Sequence, residues 1–347
     1  MTSAVIQALS ETDRLIGRLA GVGGQLPNPH IFIRPFVRRE AVLSSKIEGT
    51  QATLGEILAV EAGASVDRSP SDLREVGNYV VALEHGVKRL NKLPLSLRLI
   101  CELHKKLMTG VRGGHATPGE FRKSQNWIGP PGSSIQTASF VPPPPEELMA
   151  CLGEWEKFLH QRDLPPLVAI ALAHYQFEAI HPFLDGNGRV GRLLITLFLI
   201  EREILPTPLL YLSAYFESKR AEYYRLLRDV SFGGAWAEWI EFFLRGVAHQ
   251  SEDAVNRAER INALLTRWRK KVAGSGSSVP MALIDLLAEN PYCMVKRVAE
   301  RLGVAFTTAQ RGIGVLEKAG VLAQVGEGKR DRVYCAGELL RTLERPS

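Results

Sequence analysis

The sequence predicts a mainly α-helical protein with one β-hairpin flap and a small winged helix-turn-helix domain at its C-terminal end. Three observations predict it. Apolar residues recur at three- and four-residue spacing through most of the chain. One Gly/Ser/Pro-rich stretch, GEFRKSQNWIGPPGSSIQTASFVPPPP at 119–145, interrupts that pattern. Beyond GSGSS at 274–278, which reads as a linker, short helical runs give way to two strand-like runs around a basic, Gly-rich turn.

In chain order, REAVLSSKIEGTQATLGEIL at 39–58 predicts a helix interrupted at Gly49, with Ser44 and Glu48 four apart and so on one face. Amphipathic or buried helices follow at 73–90, 95–108, 146–162, 167–180 and 191–203. Pro94, Pro165, Pro166, Pro206 and Pro208 punctuate them. Within the flap, QNWI and ASFV are short strands around a turn. After the linker, PMALIDLLAEN, VKRVAERLG and VAFTTAQRGIGVLEKAG predict three helices, and VLAQVGEGKRDRVYC predicts a two-stranded wing.

A chain of 347 residues with 45% hydrophobic and 23% charged residues has the balance of a soluble globular protein of two domains, or of one with an appendage. The longest apolar runs, such as LLITLFLI at 193–200, fall far short of the roughly 20 residues a membrane span needs. The N-terminus carries acids and lacks a signal-peptide core, so a cytoplasmic protein with no membrane partner is expected. Four scattered cysteines without metal-ligand spacing read as free thiols. The net charge of +6 suits a polyanionic partner, nucleotide or nucleic acid, and by itself does not distinguish them.

HPFLDGNGRVGR, residues 181–192, lies between two strongly apolar helices. Pro182 disfavours helical geometry at His181, so the first helix should end there. Gly186, Asn187 and Gly188 can adopt backbone angles that aim their amides into one concavity. The next helix begins at once and adds its free N–H groups and positive dipole end. Arg189 and Arg192, three apart in its first turn, can reach forward over the same place. Such a loop is a polyphosphate cradle. Asp185 is the hard oxygen ligand that a phosphate-bound Mg²⁺ takes, and His181 is suited to be a general base. Alone, a histidine before proline caps a helix and a GNG makes a turn; the combination carries the reading.

This stretch matches the Fic-domain signature HPFx[D/E]GNGRxxR at every specified position, and the chain thereby resembles the Fic family. The resemblance covers about residues 30 to 245 and implies a Fic-type helical bundle that transfers AMP from ATP to a protein hydroxyl. It implies that His181 deprotonates a target Ser, Thr or Tyr and that Asp185 holds Mg²⁺ on the α- and β-phosphates. By the same resemblance Gly186, Asn187 and Gly188 stabilise the transferring phosphoryl group, Arg189 and Arg192 neutralise the β- and γ-phosphates, and Gly191 belongs to the nucleotide-binding set. Doc-like kinases replace the second glycine of GNG with a lysine-bearing variant. Here Gly188 and Arg189 are intact, which favours AMP transfer over phosphate transfer.

SSKIEGT at 44–50 matches the Fic inhibitory signature [S/T]xxxE[G/N] through Ser44, Glu48 and Gly49. The resemblance implies that Glu48 reaches Arg192, blocks the γ-phosphate position and autoinhibits the enzyme, and that it can also support AMP removal. The flap would pair with a target segment, with Ile128 and Gly129 near nucleotide and target. KRAEYYRLLRD at 219–229 resembles the helix that closes the adenine pocket, with Tyr223 at the base, while the sugar-contacting Asn of some relatives has no clear counterpart. The chain then divides into an N-terminal helical region with the inhibitory motif (1–110), a Fic catalytic core (111–273) and the winged unit (279–347). In that unit Thr307, Thr308, Gln310 and Arg311, with Lys329, Arg330 and Arg332 of the wing, are usable DNA contacts. The rival reading is therefore a DNA-binding transcriptional regulator that uses the Fic module as a nucleotide sensor. A homodimer is compatible with either, and no residue argues for one.

Overall fold

The computed structural model describes every residue except 26–28, 112–116, 131, 327–330 and 346–347. Helices α1 (Ser3–Gln25), α2 (Pro29–Ile47) and α3 (Leu54–Glu61) are followed by α4 (Pro70–Leu90) and α5 (Leu97–Met108). The flap contains one 3₁₀ turn, Ile135–Thr137. Next come α6 (Pro145–Leu159), α7 (Pro166–Ile180), α8 (Asn187–Glu201), α9 (Ser213–Ser218), α10 (Arg220–Gly233) and α11 (Trp236–Val272).

The centre of the bundle is α8, whose residues from Val190 to Leu199 are all buried. A helix apolar on every side is stable only when surrounded, and α2, α4, α5 and α7 surround it. Two indoles fix α7 to its neighbours. Trp155 Nε1 donates to Ala173 O at 2.9 Å from α6, and Trp239 Nε1 donates to Ala171 O at 2.9 Å from α11. Helix α1 lies along α11, where Thr12 Oγ1 donates to Leu244 O at 3.0 Å. No helix of the described residues is long and apolar enough to cross a membrane.

The expected hairpin is reduced to a single antiparallel bridge, Ile128 with Phe140. Three backbone hydrogen bonds join the segments among the described residues, Ile128 N–H to Phe140 O at 2.9 Å and the Phe140 and Ser139 amides to Ile128 O at 3.1 and 2.8 Å; Pro130, Pro142 and Pro143 lack the N–H that would extend the ladder. QNWI and ASFV are therefore extended segments and not strands.

After residues 274–278 the chain forms α12 (Val279–Glu289), β1 (Tyr292–Met294), α13 (Val295–Leu302), α14 (Phe306–Lys318), β2 (Ala323–Val325), β3 (Val333–Cys335) and α15 (Gly337–Glu344). The strands make one antiparallel sheet in the order β1-β3-β2. The two strand-like runs correspond to β2 and β3, while β1 and α15 are additions to the expected pattern. Lys329 and Arg330 lie outside the described residues.

This C-terminal unit is tied to both ends of the segment that carries Glu48. Arg34, on α2, pairs with Glu289 at 2.7 Å. Asn290 Nδ2 donates to Leu58 O on α3 at 2.9 Å, and the Gly55 amide donates to Glu344 at 3.2 Å. From α11, buried Arg257 pairs with Asp253 and donates to Thr342 O, Leu343 O and Arg345 O, the bare carbonyl end of α15.

Candidate active site

Helix α7 closes at His181, whose amide donates to Phe177 O at 3.0 Å while its own backbone turns left-handed, φ 48°. That conformation is strained for a residue with a Cβ, and the following proline forbids the helical alternative. Side chains from the flap hold it. Arg122 Nε donates to His181 O at 3.0 Å, and Asn126 Nδ2 reaches His181 O at 3.2 Å and Phe183 O at 2.9 Å. His181 Nδ1 lies 3.2 Å from Glu178 O. A carbonyl only accepts, so Nδ1 carries the proton and Nε2 keeps its lone pair for the cavity. Burial, partly countered by that hydrogen bond, lowers the imidazole pKa to about 4, so His181 is neutral at physiological pH.

The rest of the loop is clamped from the other side. His104 stacks on Phe183 with ring centroids 3.7 Å apart. The Gly119 amide donates to His104 Nδ1 at 2.8 Å, so Nε2 must be the protonated nitrogen that donates to Asp185 O at 3.0 Å. Gly186 sits at φ 81°, where a Cβ would come within 2.9 Å of Met108 Sδ. The Asp185 carboxylate is half exposed on the cavity wall, and its Oδ1 accepts from the Gly186 amide at 2.6 Å.

Glu48 comes to this loop from far upstream in the chain. Gly49, at φ 99°, ends α2 and turns the chain across the first turn of α8. Arg192, 1% exposed, donates from Nε to Ser44 Oγ at 2.9 Å and from Nη2 to Ser44 O at 2.9 Å and Glu48 Oε1 at 2.6 Å. Only a glycine at 188 admits the carboxylate, because a Cβ there would overlap Glu48 Oε1. Glu48 thus lies at the positive end of α8 beside an arginine, the position an anionic phosphate oxygen would take. Burial favours its protonated form, but the Arg192 guanidinium overrides this and lowers the pKa. Arg192 moves the opposite way: burial disfavours its charge, and Glu48 more than restores it. Glu40, one turn before Ser44 on the same face, accepts from Ser213 Oγ at 2.5 Å and Tyr79 OH at 3.2 Å, which anchors α2 to α9 and α4.

A cavity of about 810 Å³ opens over this floor, with Glu48, Glu178, His181, Asp185, Gly188 and Arg192 beneath it. Ile128 and Gly129 of the flap lie along one wall of the cavity, and α10 forms another.

Three expected contacts stand elsewhere, and a fourth, Tyr223, lines the cavity with its hydroxyl already committed. Asn187 is buried, with Oδ1 accepting from the Phe183 amide and Nδ2 donating to Phe183 O, both at 2.8 Å. Both side-chain amide contacts are used in holding the loop. Arg189 turns away from the cavity, 3.8 Å from Glu75 and 3.6 Å from Asp185. Three-residue spacing fixes a helical face, not how a long side chain bends. Gly191 lies in the α7–α8 seam, its O 3.2 Å from His174 Nδ1. Since a carbonyl accepts only, His174 Nδ1 donates there and Nε2 takes the Tyr223 hydroxyl proton at 2.9 Å. Tyr223 is therefore a buried, committed residue, and its neighbour Tyr224, 41% exposed, presents its ring to the cavity.

Sequence reasoning did not single out Glu178, His104, Arg122, Asn126 or Tyr224. For Glu178 a signal existed. In the apolar run LVAIALAHYQFEAI, His174 and Glu178 precede His181 at spacings of four and three, which aligns all three on one helical face.

Residues 6–88 match the model of the Fic/DOC family N-terminal region and residues 94–199 that of the Fic/DOC family, together more than half of the chain. The chain is similar to the protein adenylyltransferase Fic of Drosophila virilis, 31% identical over 222 residues, which are 60% of this chain and 40% of that protein. The Drosophila erecta protein of the same name is 29% identical over 60% of this chain and 39% of its own length. The match thus takes in about 40% of the length of these relatives. Among solved structures, a Fic family protein from Desulfovibrio desulfuricans superposes over 97% of this chain and 96% of its own, with a TM-score of 0.64 at 20% identity. Fic-1 of C. elegans, residues 134–508, superposes over 74% of this chain and 73% of its own, with a TM-score of 0.54 at 24% identity.

Proposed function

Since the chain belongs to the Fic/DOC family, we propose that it is an autoinhibited protein adenylyltransferase, moving AMP from ATP to a Ser, Thr or Tyr hydroxyl of a protein, itself included. One observation carries the reading. A neutral histidine with a free Nε2 shares one cavity with a helix N-terminus and an arginine already holding a carboxylate.

In the proposed reaction the target hydroxyl oxygen attacks the α-phosphorus. His181 Nε2 takes the hydroxyl proton as the bond forms. The α–β phosphoanhydride bond breaks and pyrophosphate leaves. Gly188 at the head of α8 and Arg192 balance the phosphate charge, Arg192 once Glu48 has withdrawn. Asp185 is the residue that would hold Mg²⁺, which when bound neutralises phosphate charge. The fit is chemically sound: the half-exposed Asp185 carboxylate reaches the cavity beside the head of α8, where phosphates would lie. Mg²⁺ takes few protein oxygens beside phosphates and waters. Tyr223 and Tyr224 both line the cavity, and the more exposed ring, Tyr224, is the one we expect to meet a base.

The test uses ATP labelled at the α- or the γ-phosphate, with the native chain, Glu48→Gly and Glu48→Gly/His181→Ala. We expect protein label from the α-phosphate alone, about tenfold or more stronger in Glu48→Gly, as loss of a charge-assisted pair implies, and absent in the double variant. Label from the γ-phosphate would make the protein a kinase. Absence of label throughout would favour the regulator reading. In that case Thr307, Gln310 and Arg311, exposed on α14, are the residues to test against duplex DNA.

A further inference from the structure

Glu178 is the one carboxylate on the cavity floor that the proposed reaction leaves unused. Its Oε1 is buried and has no hydrogen-bond partner. Its backbone oxygen orients His181, and its side chain lies in the seam beneath Gly191, where a Cβ would overlap Oε1. Buried polar atoms in folded proteins are almost always paired, so an orphan on a cavity wall points to a ligand.

The charge pattern limits what that ligand group can be. Phosphates belong at Gly188 and Arg192, where the helix end and guanidinium attract anions. A carboxylate would repel them, so the group facing Glu178 is a neutral polar one. The cavity continues from Gly188 on α8 to Glu178 on α7 and Tyr224 on α10, so a nucleoside attached to phosphates over α8 would pass Glu178.

We propose that Glu178 is a specificity-determining contact of the site, its carboxyl hydrogen-bonding the nucleoside through a ribose hydroxyl or the exocyclic amine of the base. The proposal rests on the adenylyltransferase reading and names a contact beyond it. Burial raises the Glu178 pKa to about 7, with Arg192 opposing and Glu48 adding to the rise. A carboxyl poised near neutrality can both accept and donate, which suits either group.

The test measures binding by calorimetry, not transfer, in the Glu48→Gly background. Glu178, Glu178→Gln and Glu178→Ala are titrated with ATP, 2′-deoxyATP, 3′-deoxyATP and inosine triphosphate. With Glu178 present, the analogue lacking the contacted group should bind about tenfold more weakly than ATP. The deoxy analogues report a ribose contact and inosine triphosphate an amine contact. Glu178→Gln should keep the discrimination, since an amide still offers acceptor and donor; Glu178→Ala should bind ATP and that analogue alike. Unchanged discrimination in Glu178→Ala, or an equal loss for every nucleotide, overturns the proposal and leaves the adenylyltransferase reading standing. If the Glu48→Gly chain binds no nucleotide at all, both fall.

Discussion

His181 joins a strained backbone to an unusually acidic imidazolium. Its φ of 48° is fixed by Arg122 and Asn126, and its pKa near 4 follows from burial. A base that is already neutral should show no histidine-like titration near 6.5. In the Glu48→Gly background we expect the pH–rate profile of AMP transfer to hold flat on its acid side down to about pH 5; an acid limb centred near 6.5 would contradict this. Glu178 gives an opposite pH signature, in stability. Its pKa is about 7 in the folded chain against 4.5 as its ordinary value, so its contribution is intact below 4.5 and lost as pH rises through 7. Glu178→Gln, which cannot ionise, should gain stability relative to the native chain between pH 4.5 and 7 and stay level above. Thermal melts across that range decide it, and a pH-independent difference counts against the assignment. At this scale the sequence was legible for residues whose backbone makes the site, such as Gly188, and for the short acid at 185. It was illegible for Asn187, Arg189 and Tyr223, whose side chains are turned by particular partners, the Phe183 backbone nearby and Glu75 and His174 far away in the chain.

Among the elements, the loop between α7 and α8 behaves as a rigid part because both its faces are hydrogen-bonded. Asn187 alone satisfies the buried Phe183 amide and shares its carbonyl with Asn126. Asn187→Ala should cost about 1–3 kcal/mol of stability by orphaning that amide, read from denaturant midpoints. The helices around this loop were readable because their apolar period is strong. Helix α1 and the 37-residue α11 were not singled out, although they carry apolar faces of their own. The prolines of the flap spoke for a break in the helical pattern, and the same prolines left it too few N–H groups to become a true hairpin.

At the level of the whole molecule, Arg257 welds the long α11 to the end of the chain. It is 2% exposed, paired with Asp253, and donates to the Thr342, Leu343 and Arg345 carbonyls at the end of α15. Arg257→Ala removes one member of a buried ion pair and should cost about 3–5 kcal/mol, visible as a large drop in melting temperature. The i, i+4 spacing from Asp253 is ordinary for a helix surface, and no sequence pattern announced the carbonyl partners, which lie more than eighty positions away. The contacts of Glu289, Asn290 and Glu344 with the Arg34–Leu58 segment have a different kind of consequence. They make the placement of the C-terminal unit and the seating of Glu48 two readings of one equilibrium. On the proposed autoinhibition, any molecule that favours one placement of that unit would alter the affinity for nucleotide, and nucleotide would alter the affinity for that molecule by the same factor.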